Sequence, residues 1–233
     1  MRSIHDSSNA DVNFYDSIFP STKLGKFVYD ISNVYIPKDY LMKSLFKEFT
    51  HITDASSIKI YGSCNSCFNM FNGCTALVTP PDMSNVTSIG DSGCFSMFSS
   101  CTSLTITPDL SNVTSIDRLG CGNMFRGCNK LITALDMSNL TTIGDSGCSL
   151  MFNGCTALVT PPNMSNVTTI GSGGCGSMFK NCNNLKTAPD MSSVTTIGER
   201  GCEYMFDGCS ALKTGPDIHN VTTIGKRGCE YML

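Results

Sequence analysis

The sequence predicts an α/β solenoid, a stack of 27-residue coils in which short helical turns alternate with short parallel strands. The first observation is a repeat whose copies start at every 27th residue. A fixed period of this length is typical of solenoids, whose coils bury their apolar faces only against neighbouring coils. The second observation is that cysteine, methionine and phenylalanine keep their places in successive copies. The copies start at Cys67, Cys94, Cys121, Cys148, Cys175, Cys202 and Cys229.

Each coil is predicted to open with about two helical turns. The unit begins Cys-x-x-Met-Phe-x-x-Cys, which puts four apolar side chains at relative positions 1, 4, 5 and 8. Residues at this spacing lie on one face of a helix. A glycine stands just before each copy, and we expect it either to adopt a positive φ or to admit a neighbouring coil at close range. These glycines are Gly93, Gly120, Gly147, Gly174, Gly201 and Gly228.

Two short strands are predicted in the rest of each coil. The first is Leu-x-Thr-x, as in Leu158–Pro161, which alternates with leucine inward. The second is Val-Thr-Thr-Ile, which is β-branched throughout. A corner with Pro-Asp, as in Pro189-Asp190, separates them. The inward side chains are therefore expected to be Cys, Met, Phe, Cys, Leu, Met, Val and Ile.

The chain is predicted to have three parts. Residues 1–36 contain no cysteine and several aromatic residues, and they form either a cap over the first coil or a docking segment. Residues 37–66 are expected to be a degenerate capping coil, with a helix over Pro37–Phe49 and a stretch, Asp54–Gly62, that corresponds to Asp82–Gly90. Residues 67–233 hold six full coils and a partial seventh.

Composition excludes several classes of function. Charged residues make up 15% of the chain and the net charge is −3, which argues against nucleic-acid binding. The sequence contains no apolar run near the roughly 20 residues that span a bilayer, so membrane insertion is not expected. The first residues lack the apolar core of a secretory signal. The cellular location stays open on this evidence.

The cysteines are expected to be free, buried thiols. Two cysteines of one predicted helix lie about 10 Å apart along its axis, which is too far for a disulfide. Their count follows the number of coils, and no histidine accompanies the columns, so we expect neither a metal nor a cofactor. Disulfides between coils are an alternative. So is redox activity of Cys64-x-x-Cys67, which lies at the cap boundary without a thioredoxin-like context.

Two polar columns have both structural and functional interpretations. The asparagines of Asn-x-Thr, such as Asn139, are expected to form an internal ladder that bonds backbone groups at the corners, with glycosylation as the alternative. The aspartates after proline, such as Asp190, are expected to close turns, with calcium binding as the alternative. His5, His51 and His219 stand in unrelated contexts, so no catalytic residues are predicted.

The repeat resembles the BspA-like leucine-rich repeats of bacterial and protist surface proteins. The matching elements are Leu-x-x-x-x-Pro, Val-Thr-x-Ile-Gly and Phe-x-x-Cys-x-x-Leu, over residues 67–233. The unit departs from the family by an insert, Gly-Cys-x-x, before Met-Phe. The resemblance implies a right-handed leucine-rich-repeat solenoid that serves adhesion and protein binding and has no catalytic residue. It favours a cell surface or a virion as the location.

We therefore expect a non-catalytic binding or adhesion module that recognises a protein or glycan surface. The candidate binding residues occupy outward positions of the later coils: Val159, Lys186, Lys213, Arg200, Lys226 and Arg227. The alternative is a structural subunit of a larger assembly, such as a virion or tail component. That subunit would dock through residues 1–36 and an open C-terminal edge, and a homo-oligomer is included in this alternative.

Overall fold

Parallel strands stack along one side of the molecule, one strand to a coil. The computed structural model describes residues 43–233. The strands form one sheet in the order β1 to β7, and every neighbouring pair is parallel. Their bounds are β1 Lys59–Cys64, β2 Asp82–Ile89, β3 Ser115–Ile116, β4 Thr142–Ile143, β5 Thr169–Ile170, β6 Thr196–Ile197 and β7 Thr223–Ile224.

The pairing register repeats the sequence period. Ile116 pairs with Ile143, and Ile143 pairs with Ile170, so equivalent residues of successive coils are neighbours in the sheet. The predicted Val-Thr-Thr-Ile strand is confirmed, although only its last two residues are in a regular strand from β3 to β7. The fold is a parallel β-solenoid with coils 27 residues apart in register from β3 onward. Its predicted right-handedness stays a prediction.

The core is a spine of identical side chains that runs through the stack. In the coil that begins at Cys148, all the side chains expected to point inward are 0% exposed. Fully burying an aliphatic or aromatic side chain contributes roughly 1.5–3 kcal/mol, so this repetition is the main source of stability. The buried set of that coil is Cys148, Met151, Phe152, Cys155, Leu158, Met164, Val167 and Ile170.

The segment predicted to be helical is a series of tight turns, and the helix prediction is wrong. We call residues 92–101, and their equivalents in the other coils, the turn face. Its amides alternate in partner: Met97 N–H donates to the Cys94 carbonyl of its own coil at 3.1 Å, and Phe98 N–H donates to Met124 of the next coil at 2.9 Å. No helix is assigned anywhere in residues 43–233.

Coil spacing explains why a helix does not form here. The rings of Phe98 and Phe125 lie 5.5 Å apart, which measures the distance between coils on this side. An α-helix is about 10 Å wide and uses its amides internally, so helices cannot repeat at this distance. The turn face instead places every fourth residue at positive φ, as at Ser92, Ser96 and Ser100 (56°, 52° and 62°).

The first predicted strand is reduced to isolated bridges. Thr133 pairs with Thr160 in parallel, and so do Asp136 and Asn163, but no regular strand spans Leu158–Pro161. Leucine is nevertheless inward, as predicted, because Leu158 is 0% exposed. The segment thus follows the stack with too few consecutive backbone bonds to form a strand.

The N-terminal predictions fall only partly on the described residues. Residues 1–36 and 37–42 lie outside them. Over residues 43–49 the predicted helix is again a turn face, in which Phe46 N–H donates to Met70 of the next coil at 2.8 Å. The expected correspondence of Asp54–Gly62 with Asp82–Gly90 is also wrong. In the sheet Lys59, and not Asp54, pairs with Asp82. Cys64 pairs with Ile89, and β1 has two register shifts between these pairs.

The glycines before the turn faces lie at crowded positions. A Cβ on Gly174 would lie 2.7 Å from Ile170 Cγ2 of its own coil, and one on Gly93 would run into the carbonyl oxygen of Cys64 in the preceding coil. Neither glycine has a positive φ. Of the two predicted reasons for glycine at this position, the close approach of a neighbouring coil is confirmed at Gly93, and a positive φ is wrong at both.

Candidate binding surface

One outward column runs along the stack directly after the buried leucines. We call it the strip; it consists of Val78, Thr105, Ile132, Val159, Lys186 and Lys213. Two backbone hydrogen bonds join neighbouring residues of the strip. Val159 N–H donates to the Ile132 carbonyl at 2.8 Å, and Lys186 N–H donates to the Val159 carbonyl at 3.4 Å. The strip is therefore a fixed row of side chains at the spacing of the coils.

The character of the strip changes along its length. Val78 and Ile132 are 42% and 56% exposed, which is unusual for aliphatic side chains of this size. Val159 is half-buried, and Lys186 and Lys213 are exposed. The first coils thus present apolar side chains to solvent, and the last coils present two ammonium groups. Such a gradient suits a ligand with an apolar part and an acidic part.

A shallow depression lies at the basic end of the strip. Lys186, Ser210, Ala211, Leu212 and Lys213 line a volume of about 670 Å³. Within residues 43–233, neither lysine has a carboxylate within ion-pair distance. Their charges are therefore not neutralised locally by this part of the chain. Of the six predicted binding residues, Lys186 and Lys213 line this depression, and Val159 lies next to Lys186 in the strip.

The predicted arginines belong to a different part of the coil, just before the first cysteine. Glu203 forms ion pairs with both of them, with Arg227 Nη2 at 3.0 Å and Arg200 Nε at 3.9 Å. Arg227 Nε also contacts Glu230, and this hydrogen bond raises the pKa of the Arg227 guanidinium. Lys226 is exposed beside them. Because their charges are already paired, Arg200 and Arg227 are weaker candidates for binding than the strip lysines.

Aromatic pairs on the turn face were not anticipated from the sequence. Phe68 stacks on Phe95 at 5.3 Å with Lys43 Nζ above its ring, and Tyr204 stacks on Tyr231 at 5.0 Å. Each pair is separated by one repeat length, which was the available signal. It was missed because these positions are aromatic in only two coils each, unlike the phenylalanines of the spine.

The asparagine column bonds the backbone between coils, as predicted. Asn139 Nδ2 donates to the Ser111 carbonyl at 2.7 Å, and Asn166 Nδ2 donates to Ser138 at the same distance. These asparagines are exposed, so the expectation that they are internal is wrong. The side chain crosses from one coil to the preceding one on the outside of the corner.

The aspartate column closes turns, which confirms its predicted role. Ser111 N–H donates to Asp109 Oδ1 at 2.9 Å, and Ser192 N–H donates to Asp190 Oδ1 at 2.9 Å. In Asp190, the hydrogen bonds from the Ser192 side chain and amide lower the carboxyl pKa. A carboxylate that closes its own turn in this way explains the residue without a bound cation.

The second cysteine of each coil is a buried donor. Cys101 Sγ donates to the Phe71 carbonyl at 3.1 Å, and Cys128 Sγ donates in the same way to Phe98 at 3.1 Å. Burial raises the pKa of Cys128 to about 12. Cys229 is half-buried and differs, because the Cys202 thiol stabilises its thiolate and lowers its pKa to about 7.

Sites for other chemistry are sparse in the described part of the chain. In residues 43–233, no group of three or more His, Cys, Asp or Glu side chains is arranged to hold a metal ion. No helix in the same range has the length and apolar character needed to cross a membrane. His219 Nδ1 lies 2.7 Å from Asp217 Oδ1, but both side chains are more than half exposed.

Comparisons with known proteins agree with this architecture. A family model for the BspA type leucine-rich repeat region matches in six copies, over residues 12–147 and 49–213. A search of curated proteins found no significant match. A leucine-rich cell surface protein from Faecalibacterium prausnitzii A2-165 is 25% identical in sequence and superimposes with a TM-score of 0.51.

The extent of these structural matches is uneven. The match to the F. prausnitzii protein covers 76% of this chain and 42% of that one. A leucine-rich repeat protein from Bacteroides ovatus ATCC 8483 is 18% identical, with 82% of this chain and 67% of that one covered and a TM-score of 0.24. This chain therefore corresponds to less than half of the F. prausnitzii protein.

Proposed function

Because this chain belongs to the BspA-type leucine-rich repeat family, we propose that it is a non-catalytic module that binds another protein through the strip. The observation that carries the proposal is the exposure of Ile132 and Val78 in one column with two unpaired lysines. Exposed aliphatic side chains in a row are costly in water unless a partner covers them. Display at a cell surface is part of the proposal, supported by the description of the F. prausnitzii protein.

The dimensions of the strip fit an extended peptide segment. Six positions at strand spacing cover about 24 Å, which an extended chain spans in about seven residues. The strip contains aliphatic and basic side chains and no aromatic ring, which suits a peptide better than a sugar. We infer that the partner presents apolar side chains over Val78–Val159 and carboxylates beside Lys186 and Lys213.

The two halves of the strip contribute differently to binding. Covering Val78 and Ile132 removes apolar area from water, which supplies affinity at about 25 cal/mol per Å². The lysines steer an acidic segment toward the depression and fix its direction along the stack. Their contribution is expected to weaken as salt rises, because exposed charges are screened over about 8 Å at physiological ionic strength.

Peptide selection followed by charge reversal tests the proposal. A displayed library of random peptides about eight residues long is selected on the full chain, and the best peptides are measured by calorimetry. The double variant Lys186→Glu, Lys213→Glu is expected to weaken binding by at least about tenfold, with a smaller loss at high salt. Ile132→Asp is expected to weaken binding at every salt concentration.

Lys59→Glu is the matched control, because Lys59 is an exposed lysine in β1, outside the strip and outside the predicted binding residues. It is expected to change affinity by less than about twofold. The proposal is wrong if Lys59→Glu weakens binding as much as the strip variants do, or if the selected peptides bind every strip variant with unchanged affinity. Circular dichroism of each variant checks that the coils remain folded.

A further inference from the structure

The corner between β1 and the following turn face is shorter than every later corner. Two residues, Asn65 and Ser66, separate Cys64 from Cys67, whereas four separate Ile89 from Cys94. Cys67 and Cys94 are equivalent first cysteines of successive coils, and Cys64 pairs with Ile89 in the sheet. The missing residues therefore draw the end of β1 toward the first cysteine of the next coil, Cys67.

This short corner places a thiol where the other coils have isoleucine. The column beside Cys64 continues as Ile89, Ile116, Ile143, Ile170, Ile197 and Ile224. Cys64 is 2% exposed, and its Sγ lies 2.9 Å from Cys67 Sγ and 3.3 Å from Cys94 Sγ. A separation of 2.9 Å is inside the usual contact distance of two sulfurs. Little movement is therefore needed to join them at the length of a disulfide.

We propose that Cys64 and Cys67 form an oxidation site at which a peroxide converts the two thiols into a disulfide. The site is specific to this coil, because no later coil has a thiol at the isoleucine position. A peroxide is the class of oxidant that suits it, since the pair is buried and only a small molecule can reach it. Asn65, which follows Cys64 in the chain, is exposed at the corner, so the pair lies next to a surface residue.

The chemistry assigns different roles to the two sulfurs. The neighbouring Cys67 and Cys94 thiols stabilise the Cys64 thiolate and lower the pKa of Cys64, while Cys64 raises that of Cys67. The Cys64 thiolate attacks hydrogen peroxide, the O–O bond breaks, and a sulfenic acid and hydroxide form, the latter protonated to water. Cys67 Sγ then attacks Cys64 Sγ and a second water leaves. Two thiols and one peroxide thus give one disulfide and two waters.

The other buried thiols are protected from this reaction. Cys101 and its equivalents donate to carbonyl groups, and burial holds the pKa of Cys128 and Cys175 at about 12. The half-buried Cys229 is the one competitor with a lowered pKa outside the Cys64 cluster, among the described residues. A Cys229→Ser background therefore isolates the proposed pair.

Mass spectrometry of the full chain tests the site. The Cys229→Ser protein, with thirteen of the fourteen cysteines, is treated with hydrogen peroxide, denatured and alkylated. Chymotryptic cleavage after Tyr61 and Phe68 releases Gly62–Phe68, which carries Cys64 and Cys67 and no other cysteine. The expected result is this peptide two hydrogens lighter, eleven alkylated cysteines elsewhere, and recovery of both thiols on reduction.

Other outcomes overturn the proposal. Thirteen alkylated cysteines after peroxide treatment would show that the pair does not react, and a link from Cys64 to Cys94 would assign the wrong partner. Cys94→Ala is the matched control: it removes the third thiol, so the reaction is expected to be slower but still to give the Cys64–Cys67 disulfide. The double variant Cys67→Ala, Cys94→Ala is expected to form no disulfide and to leave a Cys64 sulfenic acid, which dimedone traps when it is present during denaturation. Absence of the dimedone adduct in this double variant would contradict the proposed order.

Discussion

The ring of Phe98 stacks on the ring of Phe125 in the next coil, with centroids 5.5 Å apart and planes 7° from parallel. Both rings are 0% exposed. The same contact recurs from Phe46 to Phe206, with centroids between 5.2 and 5.6 Å apart. This column fills the core behind the turn face and keeps the coils at the distance that their backbone bonds require.

Removing one ring from the column is predicted to be costly. Phe125→Ala leaves a cavity between two rings that the rigid coils cannot close, so we expect a loss of about 3–5 kcal/mol in the free energy of unfolding. Urea denaturation measures it. Phe95→Ala is the control, because Phe95 is half-buried on the outside of the turn face and stacks only on Phe68. Equal losses for the two variants would contradict the role given to the spine.

A methyl group at a corner glycine is predicted to force coils apart. The added Cβ of Gly93→Ala meets the Cys64 carbonyl oxygen, which is backbone and cannot move aside. We expect a loss of about 1–3 kcal/mol. In Gly176→Ala the nearest atom, the Gly173 carbonyl oxygen, is 3.3 Å away, so little change is expected. A comparison of thermal midpoints decides, and equal midpoints would refute the close-approach explanation.

In the native protein, iodoacetamide is predicted to alkylate the half-buried Cys229 and to leave the buried thiols unlabelled. Cys229 has a pKa of about 7, so half of it is thiolate at that pH, and lower pH protonates it. Alkylation of Cys229 should therefore rise between about pH 6 and 8 and then level off. Cys175, with a pKa of about 12, should stay unlabelled. Peptide mapping after brief treatment with iodoacetamide measures both.

Cys202→Ala supplies the control for this prediction. It removes the thiol that stabilises the Cys229 thiolate, so the midpoint of the alkylation profile should move up toward the usual thiol range. A profile that is unchanged in Cys202→Ala would mean that some other group sets the pKa of Cys229.

The sequence was informative about what is buried and less so about backbone conformation. The period and the apolar columns predicted that Cys148, Phe152 and Ile170 are inward, and each is 0% exposed. The same spacing suits a helix face and a run of tight turns, so it predicted the wrong backbone. A partial signal was the Asn or Gly at some of the fourth positions of the turn faces, as at Asn123 and Gly127, because these residues adopt positive φ more readily than most.

The candidate surface was predictable where its residues occupy the same position in successive repeats. Val159, Lys186 and Lys213 follow from their equal places in the repeat, and the structure keeps them in one row. The pairing of Arg227 with Glu203 was not predictable, since it depends on how far side chains reach between coils. The Cys64-x-x-Cys67 spacing was visible in the sequence, whereas the contact of Cys64 with Cys94 was not, because it depends on how β1 pairs with the next coil.

The turn faces are bonded from coil to coil and are not helices. NMR measurement of scalar couplings across hydrogen bonds in deuterated protein distinguishes these two backbone arrangements. We expect a coupling between the Phe98 amide nitrogen and the Met124 carbonyl carbon, since these groups bond at 2.9 Å. A coupling from Phe98 to the Cys94 carbonyl, the partner that an α-helix would use, would contradict it.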